Sequence, residues 1–375
     1  MPASSPCPRP PPRRLLVRGV NWLGDAVMTI PALLRLREAL PGTHIALLTP
    51  CKLAELWPHH PALDSIVSFE ERESVWHVAR RLRRERYDLA LVLPNSPRSA
   101  LEVFLARIPQ RIGYARPWRN CFLTHRVPPR PEELLMRKRP VAEINRLIAS
   151  PPSPSARTIP AAAHHLHQYL HLTAALGANP EPLAPRIGVA DEEAREFRAQ
   201  WPEAAPELRW FGLNAGAQYG PAKRWPVDRY MASAIELHRR TGCGWLVFGG
   251  PEDAPLTREI VAALRAAAIP HVLDLAGRTS LRQLCAAFKV CQVLLTNDSG
   301  PMHLAAAVGT PVVAPFGSTA PELTGPGLPS DPRHRLLRAD AACAPCFLRA
   351  CPIDFRCMNG IRVEAVVEAA LQAAR

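Results

Sequence analysis

No stretch of the 375 residues reaches the roughly 18–20 uninterrupted apolar positions of a membrane-spanning helix, so a chain built on helical spans is excluded. No secretory leader is expected either. Met1–Arg14 is proline-rich and ends in Arg13-Arg14, and Leu15–Leu34 is broken by Arg18, Asn21 and Asp25. A cytoplasmic protein is expected. The fingerprint Gly-x-Gly-x-x-Gly follows none of the apolar runs, which argues against a nicotinamide dehydrogenase. Acidic residues are few, 33 Asp and Glu against 46 Lys and Arg, giving a net charge of +13. That excess favours anionic partners: nucleic acid, anionic lipid or phosphorylated substrates. Aromatics are only 6% and do not interleave with the basic residues, which argues against nucleic acid.

What is present is enough apolar material, 47% of the chain, for two cores, and the length suits two domains. Residues 1–13 read as a disordered tail. Leu15-Leu16-Val17 begins a strand, a polar turn holds Gly24-Asp25, and a helical pattern runs from Ala26 to Leu40. The unit recurs through 45–48, a short helix near Leu53, the basic helix 75–86, the strand 89–93 and the helix 100–106. Residues 126–160 are rich in Pro and Arg and read as irregular. A helix over 164–176 closes a first domain, 14–180. The second, 181–375, restarts the rhythm with strands at 210–213, 245–248, 272–273, 293–295 and 312–314. Helices at 227–239, 254–267, 280–289 and 299–308 alternate with them, and a Cys-rich segment at 343–357 and a C-terminal helix follow. Alternating strands and helices predict α/β architecture with doubly wound parallel sheets.

Three loops carry chemistry. Asn21-Trp22-Leu23-Gly24-Asp25 lies where the first strand hands over to the first helix, the edge at which open α/β sheets bind ligands. Asp25 is there a candidate base, or simply a helix cap. Asn214-Ala215-Gly216-Ala217, then Gly220-Pro221-Ala222-Lys223-Arg224-Trp225-Pro226, is a small-residue loop followed by two cations, suited to a diphosphate. A solvated basic turn is the competing reading. Thr296-Asn297-Asp298-Ser299-Gly300-Pro301-Met302-His303 runs from a buried strand into a helix start. Ser299 and Gly300 can offer N–H groups to an anion, and Asp298 can orient a sugar hydroxyl or hold the turn. His303 lies one turn beyond Ser299, so a ligand-facing role and a structural one stand about level.

With Gly249-Gly250-Pro251-Glu252-Asp253 and Leu275-Ala276-Gly277, these motifs in this order resemble glycosyltransferase family 9, the ADP-heptose–lipopolysaccharide heptosyltransferases, nearest to its heptosyltransferase II members. The resemblance runs from about Leu15 to the C-terminus. It implies a GT-B fold, two Rossmann-like domains facing a central cleft, with the acceptor on the first and ADP-heptose on the second. It implies transfer of L-glycero-D-manno-heptose, with inversion, to the heptosyl-Kdo2-lipid A inner core in lipopolysaccharide core biosynthesis. Asp25 matches the general base and Lys223 the cation on the donor phosphates. Asn214, Gly216 and Arg224 fall in the same donor loop. Asp298, Ser299, Gly300 and His303 match the donor turn, and Glu252 or Asp253 the acid near the ribose. The chain has no Asp-x-Asp, the motif that commonly holds a metal on a nucleotide diphosphate, so Lys223 and helix N-termini are expected to neutralise the leaving group. No cofactor is required for that chemistry, and dependence on a divalent metal stays open. The implied partners are ADP-heptose and the lipid A-core acceptor, with peripheral contact at the anionic inner face of the inner membrane and no nucleic acid.

The alternatives are heptosyltransferase I or another family 9 transferase with a different sugar, a non-catalytic sugar-nucleotide binder, and a basic nucleic-acid-binding protein with a Cys knuckle. Cys343-x2-Cys346-x4-Cys351-x5-Cys357 suits a structural tetrahedral Zn2+ or an iron–sulfur cluster, although the spacing is not that of a standard zinc finger. Free thiols or oxidation-prone pairs are the competing reading. His164, His167 and His171 share a helical face and are assigned no metal. Arg111, Arg116 and Arg119 are either contacts for acceptor anions or a solvated basic loop.

Overall fold

The structure is a computed structural model that describes residues 11–149, 159–204 and 207–375. Most of the tail expected at 1–13 therefore lies outside the described residues. The chain divides into two compact units. One runs to Glu133 and resumes over His165–Pro185, and the other comprises Leu134–His164 and Arg186–Arg375.

In the first unit β1 (Arg14–Arg18), β2 (His44–Pro50) and β4 (Leu89–Val92) are almost wholly buried, as strands covered by helices on both faces must be. With β3 (Ser65–Phe69), β5 (Gln110–Tyr114) and β6 (His125–Val127) they form one parallel sheet in the order β3-β2-β1-β4-β5-β6. The helices are α1 (Leu23–Ala39), the single turn α2 (Cys51–Ala54), α3 (Val75–Arg84) and α4 (Pro97–Leu105). Ser96 starts α4 by accepting the Ser99 N–H at 3.2 Å, with Pro97 at the first helical position, where a missing N–H costs nothing. The next helix along the chain, α5 (Val141–Ala149), belongs to the second unit. The chain then returns as α6 (Leu166–Ala174), which packs on α1.

The second unit repeats the plan. After α7 (Asp191–Gln200) come β7 (Trp210–Asn214), α8 (Val227–Thr241), β8 (Gly244–Val247), α9 (Ala254–Ala266), β9 (Val272–Asp274) and α10 (Leu281–Val290). Then follow β10 (Val293–Thr296), α11 (Gly300–Ala307), β11 (Val312–Pro315), the turn α12 (Pro321–Thr324), β12 (Arg335–Leu337), the turn α13 (Arg356–Asn359) and the C-terminal α14 (Val363–Ala373). The sheet is again parallel, in the order β12-β11-β10-β7-β8-β9. Counted from its own first strand, each sheet reads 3-2-1-4-5-6, the doubly wound Rossmann order. Trp245, fully buried, meets Phe211 edge-on at 5.8 Å between ring centroids. α14 closes this core with Val366, Val367 and Ala370.

The elements that sequence reading passed over include short strands at or next to the sheet edges and the helices α5 and α7. β3, β5, β6 and β12 are short and partly exposed, and begin with Ser, Gln, His and Arg, so they lack the apolar run of a central strand. α5 lies inside the Pro- and Arg-rich stretch read as irregular. It is held by Ile144 and Ile148, which pack beside Cys343 and Cys346.

Candidate active site

In a doubly wound sheet the ligand edge lies where strand order reverses, at the carboxyl ends of the first and fourth strands. In the second unit these are β7 and β10, paired in register with Asn214 opposite Thr296. Both predicted donor loops therefore leave one edge side by side. Asn214 Nδ2 donates to Thr296 Oγ1 at 3.2 Å. Asn297 ties the loops together: its Nδ2 donates to Ala215 O at 2.6 Å, and its Oδ1 accepts from Trp225 N and Tyr230 Oη, both at 2.9 Å. Nothing in the motif around Asn297 signals this role. Asn297 is what fixes the spacing between the loops.

Lys223 and Asp298, read separately as phosphate cation and hydroxyl acceptor, are partners. Lys223 Nζ lies 2.6 Å from Asp298 Oδ2, with side-chain exposures of 14% and 4%. Thr319 Oγ1 donates to the same oxygen at 2.6 Å, and the ammonium rests 4.9 Å from the Tyr219 ring centroid. A diphosphate reaching Lys223 thus competes with Asp298 for the ammonium. Ser299 is the N-cap residue of α11 but makes no capping hydrogen bond, and Pro301 carries no N–H. The first amides of α11 are left without a side-chain cap, as an anion seat requires. His303 is buried at 5% exposure, beside His334.

Arg224 reaches Asp253 at 3.7 Å. Asp253 Oδ2 accepts the Gly250 N–H at 3.1 Å and presses on Gly216, where a Cβ would come within 2.7 Å of the Asp253 Cγ. Gly216 is therefore needed for a close approach. Asp253 is committed to its own turn, and Glu252 is the exposed carboxylate beside it. Ala215, Arg224, Trp225, Leu256, Ile353 and Phe355 line part of an open cavity of about 450 Å3 next to this loop.

In the first unit the corresponding edge belongs to β1 and β4. Arg18, buried at the end of β1, ion-pairs with the fully buried Glu102 of α4 at 2.8 Å and reaches Asn21 Oδ1 at 2.9 Å. Burial pulls the Arg18 guanidinium down from its ordinary range, with Glu102 opposing that shift. The pair anchors the loop that leads to Asp25. Asp25 is not the helix cap: the N-cap residue is Trp22, and Asp25 sits in the first turn. Its carboxylate, 31% exposed, accepts from Tyr169 Oη at 3.3 Å and lies 3.6 Å from His165 Nε2.

Of the three arginines, Arg119 departs from the solvated-loop reading, whereas Arg111 and Arg116 are half-buried. Arg119 is buried and donates to Pro94 O, and burial, then Arg116, lowers its guanidinium to about 10. Arg116 pairs with Glu133, and Arg111 donates to Phe122 O at 2.7 Å. The histidines disperse. His164 bonds Gly325 O at 3.0 Å, while His171 stacks on Tyr114 at 5.8 Å. The four clustered cysteines line one cavity of about 10 Å3 together with Ile144 and Ile353. Burial and then the neighbouring thiols push Cys357 to about 12, and burial likewise raises Cys343. Among the described residues no three His, Cys, Asp or Glu side chains stand in an arrangement that could hold a metal ion.

The model of glycosyltransferase family 9 (heptosyltransferase) matches residues 75–144 and 146–355. The chain belongs to glycosyltransferase family 9. The glycosyltransferase is 31% identical over 321 residues to lipopolysaccharide heptosyltransferase 2 of Salmonella typhimurium, covering 84% of this chain and 85% of the relative. It is 30% identical to lipooligosaccharide heptosyltransferase 2 of Haemophilus influenzae, over 83% of this chain and 85% of the relative. The solved structure of ADP-heptose lps heptosyltransferase II from E. coli superposes with a TM-score of 0.75 at 26% identity, covering 96% of this chain and 98% of that one. Two parallel six-stranded sheets flanked by helices match the GT-B fold of these transferases.

Proposed function

We propose that this glycosyltransferase moves L-glycero-D-manno-heptose from ADP-heptose to the heptosyl-Kdo2-lipid A inner core, with inversion at the anomeric carbon. The observation that carries the reading is the β7–β10 edge, where Lys223 and the uncapped start of α11 converge on one place. Lys223 neutralises the charge that grows on ADP as the glycosidic C–O bond breaks, and the Ser299–Gly300 amides share it. Asn214, Gly216 and Arg224 shape the loop, and Glu252 takes the ribose. Asp25 accepts the proton of the acceptor hydroxyl as that oxygen attacks the anomeric carbon. The transition state has oxocarbenium character, as in other glycosyl transfers. Attachment to the inner membrane is peripheral. Among the described residues no helix is long and apolar enough to cross a membrane, and the net charge of +13 suits an anionic lipid face.

The test is ADP release from ADP-heptose with and without a heptosyl-Kdo2-lipid A acceptor. Acceptor-dependent release is expected from the native chain. Loss of release with retained ADP binding is expected from Asp25→Ala. Release that requires an acceptor lacking the first heptose would move the assignment to heptosyltransferase I, and near-normal turnover by Asp25→Ala would remove Asp25 from the mechanism.

A further inference from the structure

We infer that Tyr169 and His165 are positioning residues that hold Asp25 in place for proton transfer. The inference rests on Asp25 acting as the base. A carboxylate only accepts, so the 3.3 Å contact fixes Tyr169 Oη as donor to Asp25 Oδ1. The phenol oxygen is then free to accept, and His165 Nε2 lies 3.1 Å from it. The order is therefore His165 Nε2–H to Tyr169 O–H to Asp25 Oδ1, which places the imidazole hydrogen on Nε2. Consistent with that tautomer, His165 Nδ1 is buried without a hydrogen-bond partner. Among the described residues Oδ2 has no hydrogen bond, so it is the oxygen left for the acceptor proton.

The scaffold is rigid where it needs to be. His165, the N-cap residue of α6, and Tyr169 lie four residues apart on one side of the helix, their rings edge-on at 5.2 Å. Tyr169 is 4% exposed, whereas Asp25 is 31% exposed, so the support is buried and the working group is open. Tyr114 of β5 is the other titratable group facing Tyr169. Its own hydroxyl donates to Gln168 O at 2.8 Å and pins the same turn of α6. Burial first, and then Asp25, push the Tyr169 phenol well above its ordinary range, so it remains a donor at any working pH. A carboxylate with only a packing role needs no such support. One that must meet a hydroxyl at a fixed angle does.

The experiment compares Tyr169→Phe, His165→Ala, His165→Gln and Asp25→Asn by acceptor-dependent ADP release, with ADP-induced thermal stabilisation as the check on folding. Tyr169→Phe should lower kcat roughly 10-fold, the scale of one hydrogen bond to a charged group, while the donor KM stays within about twofold. His165→Ala should lose less, and His165→Gln, which keeps an N–H near Nε2, should recover most of it. Tyr169→Phe on top of Asp25→Asn should add nothing. A Tyr169→Phe enzyme with unchanged kcat overturns the inference while leaving Asp25 as base if Asp25→Asn is inactive. Near-normal turnover by Asp25→Asn instead removes the base itself. Equal losses in His165→Ala and His165→Gln reduce His165 to packing and overturn its part.

Discussion

Truncating Lys223 to alanine strips the donor seat of its cation and leaves Asp298 behind with a single donor, Thr319. At 2.6 Å the pair's Coulomb attraction is about 6 kcal/mol at an effective dielectric constant near 20, most of it offset by desolvation. Removing one partner of a buried pair costs about 3–5 kcal/mol. The lower end applies here, because Thr319 still donates to Asp298 and Lys223 keeps 14% side-chain exposure. With a urea slope of about 2 kcal/mol/M, a loss of about 3 kcal/mol moves the midpoint down by about 1.5 M. Tryptophan fluorescence reads the relevant unit, since Trp210, Trp225 and Trp245 are buried in its core. Asp298→Asn added to Lys223→Ala should recover at least about 1.5 kcal/mol, because no carboxylate then remains unpaired. Calorimetry on the same variants should show Lys223→Ala binding ADP roughly 10- to 100-fold more weakly, the value of a charge-assisted hydrogen bond. Strictly additive losses in the cycle, or unchanged ADP affinity in Lys223→Ala, would refute the reasoning.

In the first unit, Glu102→Ala should cost about 3–5 kcal/mol by orphaning the buried Arg18, whereas Arg18→Met with Glu102→Leu should recover most of it; urea unfolding of both variants decides. Stability should fall as pH drops from about 6.5 to about 4, because burial lowers both His60 and His334 to about 4, so only the unfolded chain takes up those protons in that window. His334→Gln should flatten the slope of Tm against pH, and an unchanged slope would show that His334 contributes nothing to it.

The central elements were legible because each carries its own signal. Leu15-Leu16-Val17 and Val293-Leu294-Leu295 are buried on both faces and read as apolar runs, and the Pro226-Val227 start of α8 announces itself. Edge strands such as β6, with the sequence His-Arg-Val, carry none, because one exposed side removes the need for an apolar pattern. α5 was missed because Pro and Arg around it outweighed the two isoleucines that hold it.

The loops that could bind an anion were visible in the residues alone, since glycine, lysine and a helix start are local properties of a chain. Which side chains meet was not. Tyr169 stands 144 residues from Asp25, and nothing local to either names the other. Lys223 and Asp298 each read as a ligand group, and only the parallel pairing of β7 with β10 made them partners. Local chemistry is written residue by residue, whereas a pairing between distant side chains exists only once hydrophobic burial has set the order of the strands.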